Sequence, residues 1–174
     1  MRRLLTAALA ALLLAGCGNA NSKTTNNGKT NATSQPVASG KPTAANLRHG
    51  VLIALRANHK LAVGVLWTNK VPANAKRSTR GPALAGIRAS ANDRQRKRLR
   101  VRMLHDDYRI ISIRLDPSYT SATAVVQWNQ DVAPSHLDGT RIGRAIQLHE
   151  RARILLHRIG SSRSFAVWKV NLVQ

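Results

Sequence analysis

The chain has one cysteine among 174 residues, Cys17, which excludes an intramolecular disulfide and any cysteine-cluster metal site. It has one glutamate, Glu150, and six aspartates, too few for a carboxylate-rich metal centre. Only six residues are aromatic, Trp67, Trp128, Trp168, Tyr108, Tyr119 and Phe165, and the three tryptophans read as core rather than as a binding platform. Six histidines, at 49, 59, 105, 136, 149 and 157, fall in no metal-ligand spacing. His149 and His157 would lie about 26 Å apart along a strand. No glycine-rich phosphate loop and no nucleophile elbow occurs. Neither a catalytic motif nor a cofactor or metal site is therefore expected.

Positive charge, by contrast, is abundant. Lys and Arg number 28, of which 20 are Arg, against 7 acids, for a net charge of +21. Residues from 44 onward hold 23 of these cations and all 7 acids. Codon bias toward Ala and Arg accounts for part of the excess, but attraction to anionic surfaces follows from the charge itself. The densest stretch is Arg94-Gln95-Arg96-Lys97-Arg98-Leu99-Arg100-Val101-Arg102. Arg94, Arg96, Lys97, Arg98, Arg100 and Arg102 are the candidate contacts for anionic lipids or cell-wall polymers, with a solvated helix end as the plainer alternative.

The N-terminus combines Arg2 and Arg3 with a largely apolar run, Leu4 to Gly16. That run is too short to span a bilayer, which takes about 20 residues, and has the layout of a secretory signal. Leu14-Ala15-Gly16-Cys17 closes it and resembles the lipobox of bacterial lipoproteins. The resemblance implies cleavage between Gly16 and Cys17, a thioether-linked diacylglycerol on Cys17, and an acyl chain such as palmitate on the new amino group. Two or more chains give a stable anchor where one is marginal. The expected location is the extracytoplasmic side of the cell membrane, where no nucleic acid is expected as a partner. A membrane-protein partner is a further expectation for such an adaptor.

Residues 18–42 are rich in Asn, Thr, Ser, Gly and Ala, with Val37 the only large apolar side chain. Such a segment buries too little surface to offset its ordering entropy. The expected organisation is a signal peptide at 1–16, a lipidated Cys17 with a flexible tether to 43, and one domain over 44–174.

Within that domain Thr43 is placed to cap a helix, and Leu47, Val51, Ala54, Leu55, Ala62, Val65 and Leu66 keep near-helical spacing. A break near Asn58 is allowed, and Leu61–Trp67 also alternates as a strand would. Gly81-Pro82 opens a second helix with Leu84, Ile87 and Ala91 on its buried side. Beyond Arg100 the period becomes two. Strands are expected around 108–115, 122–130, 144–158 and 164–173, with Asp116-Pro117-Ser118 and Gly160-Ser161-Ser162 as turns and 131–143 as a longer connection. Ala166, Trp168, Val170 and Leu172 should share one face of the last strand. The fold class is α+β, N-terminal helices packed on a curved antiparallel sheet of about four strands.

The helix ending near Trp67, the Pro82 helix and the paired last strands with Phe165-Ala166-Val167-Trp168-Lys169-Val170 resemble the nuclear transport factor 2-like, cystatin-like cone fold. That family holds isomerases and cyclases as well as non-catalytic, membrane-tethered partners, so the resemblance implies fold rather than function. Glu150 falls on the apolar side of its strand, with Ile146, Leu148, Ala152, Ile154 and Leu156, where an arginine is its expected partner. The adjacent carboxylates of Asp106-Asp107-Tyr108 are expected in a solvated loop just ahead of the strand that Tyr108 opens. The function expected is a non-catalytic binding or accessory module of the envelope. The alternative is a small-molecule or enzymatic pocket in the cone, with Glu150 as its polar group.

Overall fold

Residues 42–173 are described by the computed structural model; the signal peptide, the Gly16–Cys17 cleavage and lipidation site, and the tether as far as residue 41 lie outside them. Thr43 opens helix α1, Ala44–Thr68, by accepting the Asn46 N–H at 3.3 Å. The helix runs through Asn58 without a break, so the strand alternative at Leu61–Trp67 falls away. Its buried stripe explains this. Leu47, Val51, Ala54, Leu55, Asn58, Val65 and Leu66 recur at helical spacing. The polar member, Asn58, accepts from the buried Thr79 hydroxyl at 2.8 Å. Asn69 ends the helix in the left-handed conformation (φ 52°), and its N–H bonds Val65 O at 3.0 Å.

A 3₁₀ turn, Ala73–Arg77, leads to helix α2, Gly81–Arg96, with Pro82 in its first turn. Gly81 has φ +54°, and a Cβ there would come within 2.8 Å of the Trp168 ring. Only glycine meets both conditions.

Four strands follow: β1, Leu99–Leu115; β2, Ser121–His136; β3, Ile146–Arg158; β4, Phe165–Val173. They pair antiparallel in the order β1-β2-β3-β4. Two expected boundaries shift. Asp106 and Asp107 lie inside β1, which begins at Leu99, rather than in a loop ahead of Tyr108, and β2 continues to His136 where a connection was expected from 131. Pro134 does not stop β2, because its carbonyl accepts Ile142 N–H on the side where β3 pairing has ended at Val132. The absent proline N–H points to that same side, so no ladder bond is lost.

Both helices cover the inner face of the sheet. Leu47, Val51 and Leu55 of α1 pack on Ala124, Val126, Ala152, Ile154, Leu156, Phe165 and Val167. Alanines at 122, 124 and 152 let the helix approach the strands closely. A smaller cluster, Leu66, Val101, Val132 and Leu148, closes one end.

Irregularities at Met103/His105, Ile110/Ser112 and Leu155/Leu156 leave Leu104, Ile111 and Trp168 as the extra residues of bulges. All three are exposed. The expected alternation in β4 fails for this reason. The bulge turns Trp168 out, while Val167, Val170 and Leu172 sit opposite the inward Leu156, Ile154 and Ala152. Trp67 is also exposed, so only Trp128 of the three tryptophans packs against the main core. Among the described residues no helix is long and apolar enough to cross a membrane.

Candidate functional site

A cleft of about 110 Å³ opens between α1, α2 and the inner face of the sheet. Ala62, Val63 and Leu66 of α1 form one wall, and Pro82, Ala83, Gly86 and Ile87 of α2 the other. Ile154 and Val170 lie on the sheet side. Asn58, His59, Tyr108, Trp128, Gln130 and Lys169 are its polar members. An apolar cleft with a few fixed polar groups is the usual form of a small-molecule site.

Two of the polar members, His59 and Gln130, meet one carboxylate, Asp106, which lies beside the lining. Asp106 accepts from Gln130 Nε2 at 2.9 Å and lies 2.7 Å from His59 Nε2. The His59 ring stacks on Tyr108 with centroids 4.1 Å apart and an 11° interplanar angle. Register explains the grouping. Asp106 pairs with Gln130 and Tyr108 with Trp128, two successive inward rows of the sheet. His59 reaches them from α1, one residue past the buried Asn58. Burial pushes the Tyr108 hydroxyl above its ordinary range, and among the described residues the oxygen has no hydrogen-bond partner. Such an atom carries a desolvation cost that a ligand can remove.

Glu150 continues the Tyr108–Trp128 row onto β3, opposite Trp128. It does not line the cleft. The arginine expected beside it is missing: among the described residues Glu150 makes no ion pair. Register is the reason, because Arg151 and Arg153 on the same strand alternate to the opposite face. Burial raises the Glu150 pKa, and the Trp128 indole, near it but outside hydrogen-bond geometry, pulls the other way. A raised folded-state pKa means that the ionised form opposes folding. The penalty is absent in acid and grows as pH rises through the unfolded-state value. Glu150→Gln is accordingly expected to raise the melting temperature at neutral pH, with the gain shrinking as the pH is lowered through the carboxylate range. Melting curves of parent and variant across pH check this.

The cations of the basic stretch differ in burial. Arg94 is 4 % exposed and belongs to the interior, which corrects its assignment as a surface contact. Its guanidinium donates to Asn69 Oδ1 at 2.9 Å, Ser90 Oγ at 2.5 Å and Val65 O at 3.0 Å. Helix spacing turned it inward, on the side of Ser90 and Ala91. Arg96 and Lys97 share Asp93, at 3.6 and 2.8 Å. Arg100 is half-buried with its guanidinium 5.4 Å from the Trp67 ring centre. Arg98 and Arg102 remain exposed without an ion pair.

The His59–Asp106 pair carried no local signal in the sequence. The partners are 47 positions apart and meet only through the packing of α1 on β1. Among the described residues no group of three or more His, Cys, Asp and Glu is placed to hold a metal ion.

No family model matches this chain, and no curated protein does. Among solved structures, the intermembrane space region of the chloroplast protein ARC6 is similar with a TM-score of 0.59 and 10 % identity, over 72 % of this chain and 95 % of that one. At that identity the likeness is one of fold, and it fits a cone-like α+β domain. A Catenulispora acidiphila structure covers 74 % of this chain and 92 % of its own at 16 % identity, but its TM-score of 0.36 is too low for a shared fold to be argued.

Proposed function

We propose that the chain is an exported lipoprotein, held at the extracytoplasmic side of the cell membrane by diacylglycerol on Cys17. Its nuclear transport factor 2-like domain is a non-catalytic binding module that takes a small, mostly apolar ligand between its helices and its sheet. The observation that carries the binding role is the apolar cleft lined by Tyr108, whose buried hydroxyl has no partner among the described residues. The export reading rests on Arg2, Arg3, the apolar run and the lipobox.

Two measurements test this. The neutral dye N-phenyl-1-naphthylamine should gain fluorescence on binding, and Ala83→Phe, which fills the cleft, should abolish most of the gain while leaving the fold intact by circular dichroism. Equal binding by parent and variant would place the dye elsewhere. Cys17→Ser should move the protein from the membrane fraction to the soluble fraction after a high-salt wash.

A second reading, chemistry on the bound molecule, is favoured by His59 and Asp106. A carboxylate bonded to one imidazole nitrogen fixes the ring and supports it as a base. This pair, and not Glu150, would be the polar equipment of an enzyme here. Asp106→Asn should abolish turnover in a substrate screen, if turnover exists, while sparing dye binding.

A further inference from the structure

Among the described residues, no element covers the outer face of the sheet. The contacts of both helices with the main core are on the inner face. On the outer face, Arg109 and Arg151 flank Gln127 in one row across three strands. Arg153 follows in the next outward row, with Ser112 and Val125, and Arg114 in the one after, with Thr123 and Leu155. Rows about 7 Å apart and strands about 4.8 Å apart put these four cations on one patch. All four are exposed. Arg109 is engaged by Asp107 at 2.8 Å, and Arg114, Arg151 and Arg153 make no ion pair among the described residues. The residues between them, Ser112, Thr123, Val125 and Gln127, are all neutral, so no acid separates these guanidinium groups.

We propose that this outer sheet face, rather than the Arg94–Arg102 stretch, docks on a bilayer of anionic phospholipid and lays the domain down with its cleft turned away from the membrane. Charge selects that occupant. A cluster of exposed guanidinium groups matches a layer of phosphates, each of which an arginine can bind through two N–H groups. Half-buried Leu155 and exposed Ile111 add apolar atoms on the solvent side of the same strands, as an interfacial surface needs. The proposal rests on the lipid-anchored reading for proximity. From Cys17 to Thr43 the chain has 26 residues, and a flexible coil of that length has an end-to-end distance of about 28 Å. A tether of that kind would keep the face near the lipid, and weak attraction would then suffice.

The test uses the lipidated full chain reconstituted in vesicles, so that failure to insert reports on the anchor and not on the docking face. A fluorescent donor is placed on Gln127→Cys, on the outer face, or on Ala85→Cys, on the exposed side of α2. Transfer to acceptor-labelled headgroups is then measured in each case. In vesicles containing phosphatidylglycerol the Gln127 position should transfer more efficiently than the Ala85 position. In pure phosphatidylcholine, or at high salt, the two should converge. Changing Arg109, Arg114, Arg151 and Arg153 together to Gln should reduce the orientation preference at least about tenfold. The charge-matched control, Arg48, Lys76, Arg77 and Arg88 to Gln, should keep it. Equal transfer from both positions in anionic vesicles, or equal loss in the two quadruple variants, would overturn the proposal. The comparison of lipids on the parent chain stands even where a variant folds poorly.

Discussion

Arg94→Ala is expected to lower the free energy of unfolding by about 3 kcal/mol, read as a shift of the denaturation midpoint at unchanged slope. The magnitude follows from what the guanidinium holds. It joins the end of α1, through Val65 O and Asn69, to Ser90 on its own helix. Asn69 in turn donates to Leu99 O at 2.6 Å, where β1 begins. One buried side chain thus ties three elements together at a single corner. A bond to a charged donor contributes about 1.5–3 kcal/mol, and the acceptors left behind are desolvated. Part of the loss is recovered because Val65 O keeps the Asn69 N–H. Burial works against the charge and holds the Arg94 pKa below its ordinary value, although neighbouring Asp93 partly compensates. Arg94→Lys should recover less than half of the loss, since an ammonium cannot reproduce the planar fork that reaches three acceptors.

Two glycines of the same helix should respond to alanine with opposite signs. Gly64→Ala is expected to stabilise by about 0.5–1 kcal/mol, the ordinary gain for removing a glycine from a helix interior. A Cβ there has no neighbouring atom within 4 Å. Gly50→Ala gains the same propensity and should nevertheless destabilise by about 3 kcal/mol, at the upper end of overpacking. Its Cβ would come within 2.0 Å of Arg163 O and 3.5 Å of the Phe165 ring. The obstacle is a backbone carbonyl in the turn joining β3 to β4, which cannot rotate aside as a side chain would. Either the turn moves, disturbing Phe165 in the core, or α1 lifts from the sheet. Thermal melts of the two variants side by side separate propensity from packing. A stabilised Gly50→Ala would mean that the turn yields freely.

The elements were legible where one periodicity dominated. Thr43, the stripe from Leu47 to Leu66, and Gly81-Pro82 announced two helices, and the alternation after Arg100 announced the sheet. What escaped was decided by residues that interrupt a pattern. Leu104, Ile111 and Trp168 each shift the phase of a strand, and an extra residue looks like any other until its partner strand is known. Pro134 marked a loop in the sequence and sits harmlessly in β2 because β3 is shorter. Arg94 looked like its five cationic neighbours, although helix geometry assigns it the inward side. The cleft was the least visible feature, since Asp106, Gln130 and His59 come together only through strand register and helix packing.

The bulges bear on crowding. β1 is 17 residues long and forms one border of the sheet. Drawn out flat it would offer another copy about 57 Å of unpaired backbone, at about 3.4 Å per residue. Leu104 and Ile111 cut that border into segments of at most six residues, each twisted relative to the next. Trp168 does the same to β4, the opposite border. A population of such molecules confined to two dimensions would meet border to border far more often than in free solution. Interrupted borders let them collide without zipping into a shared ladder.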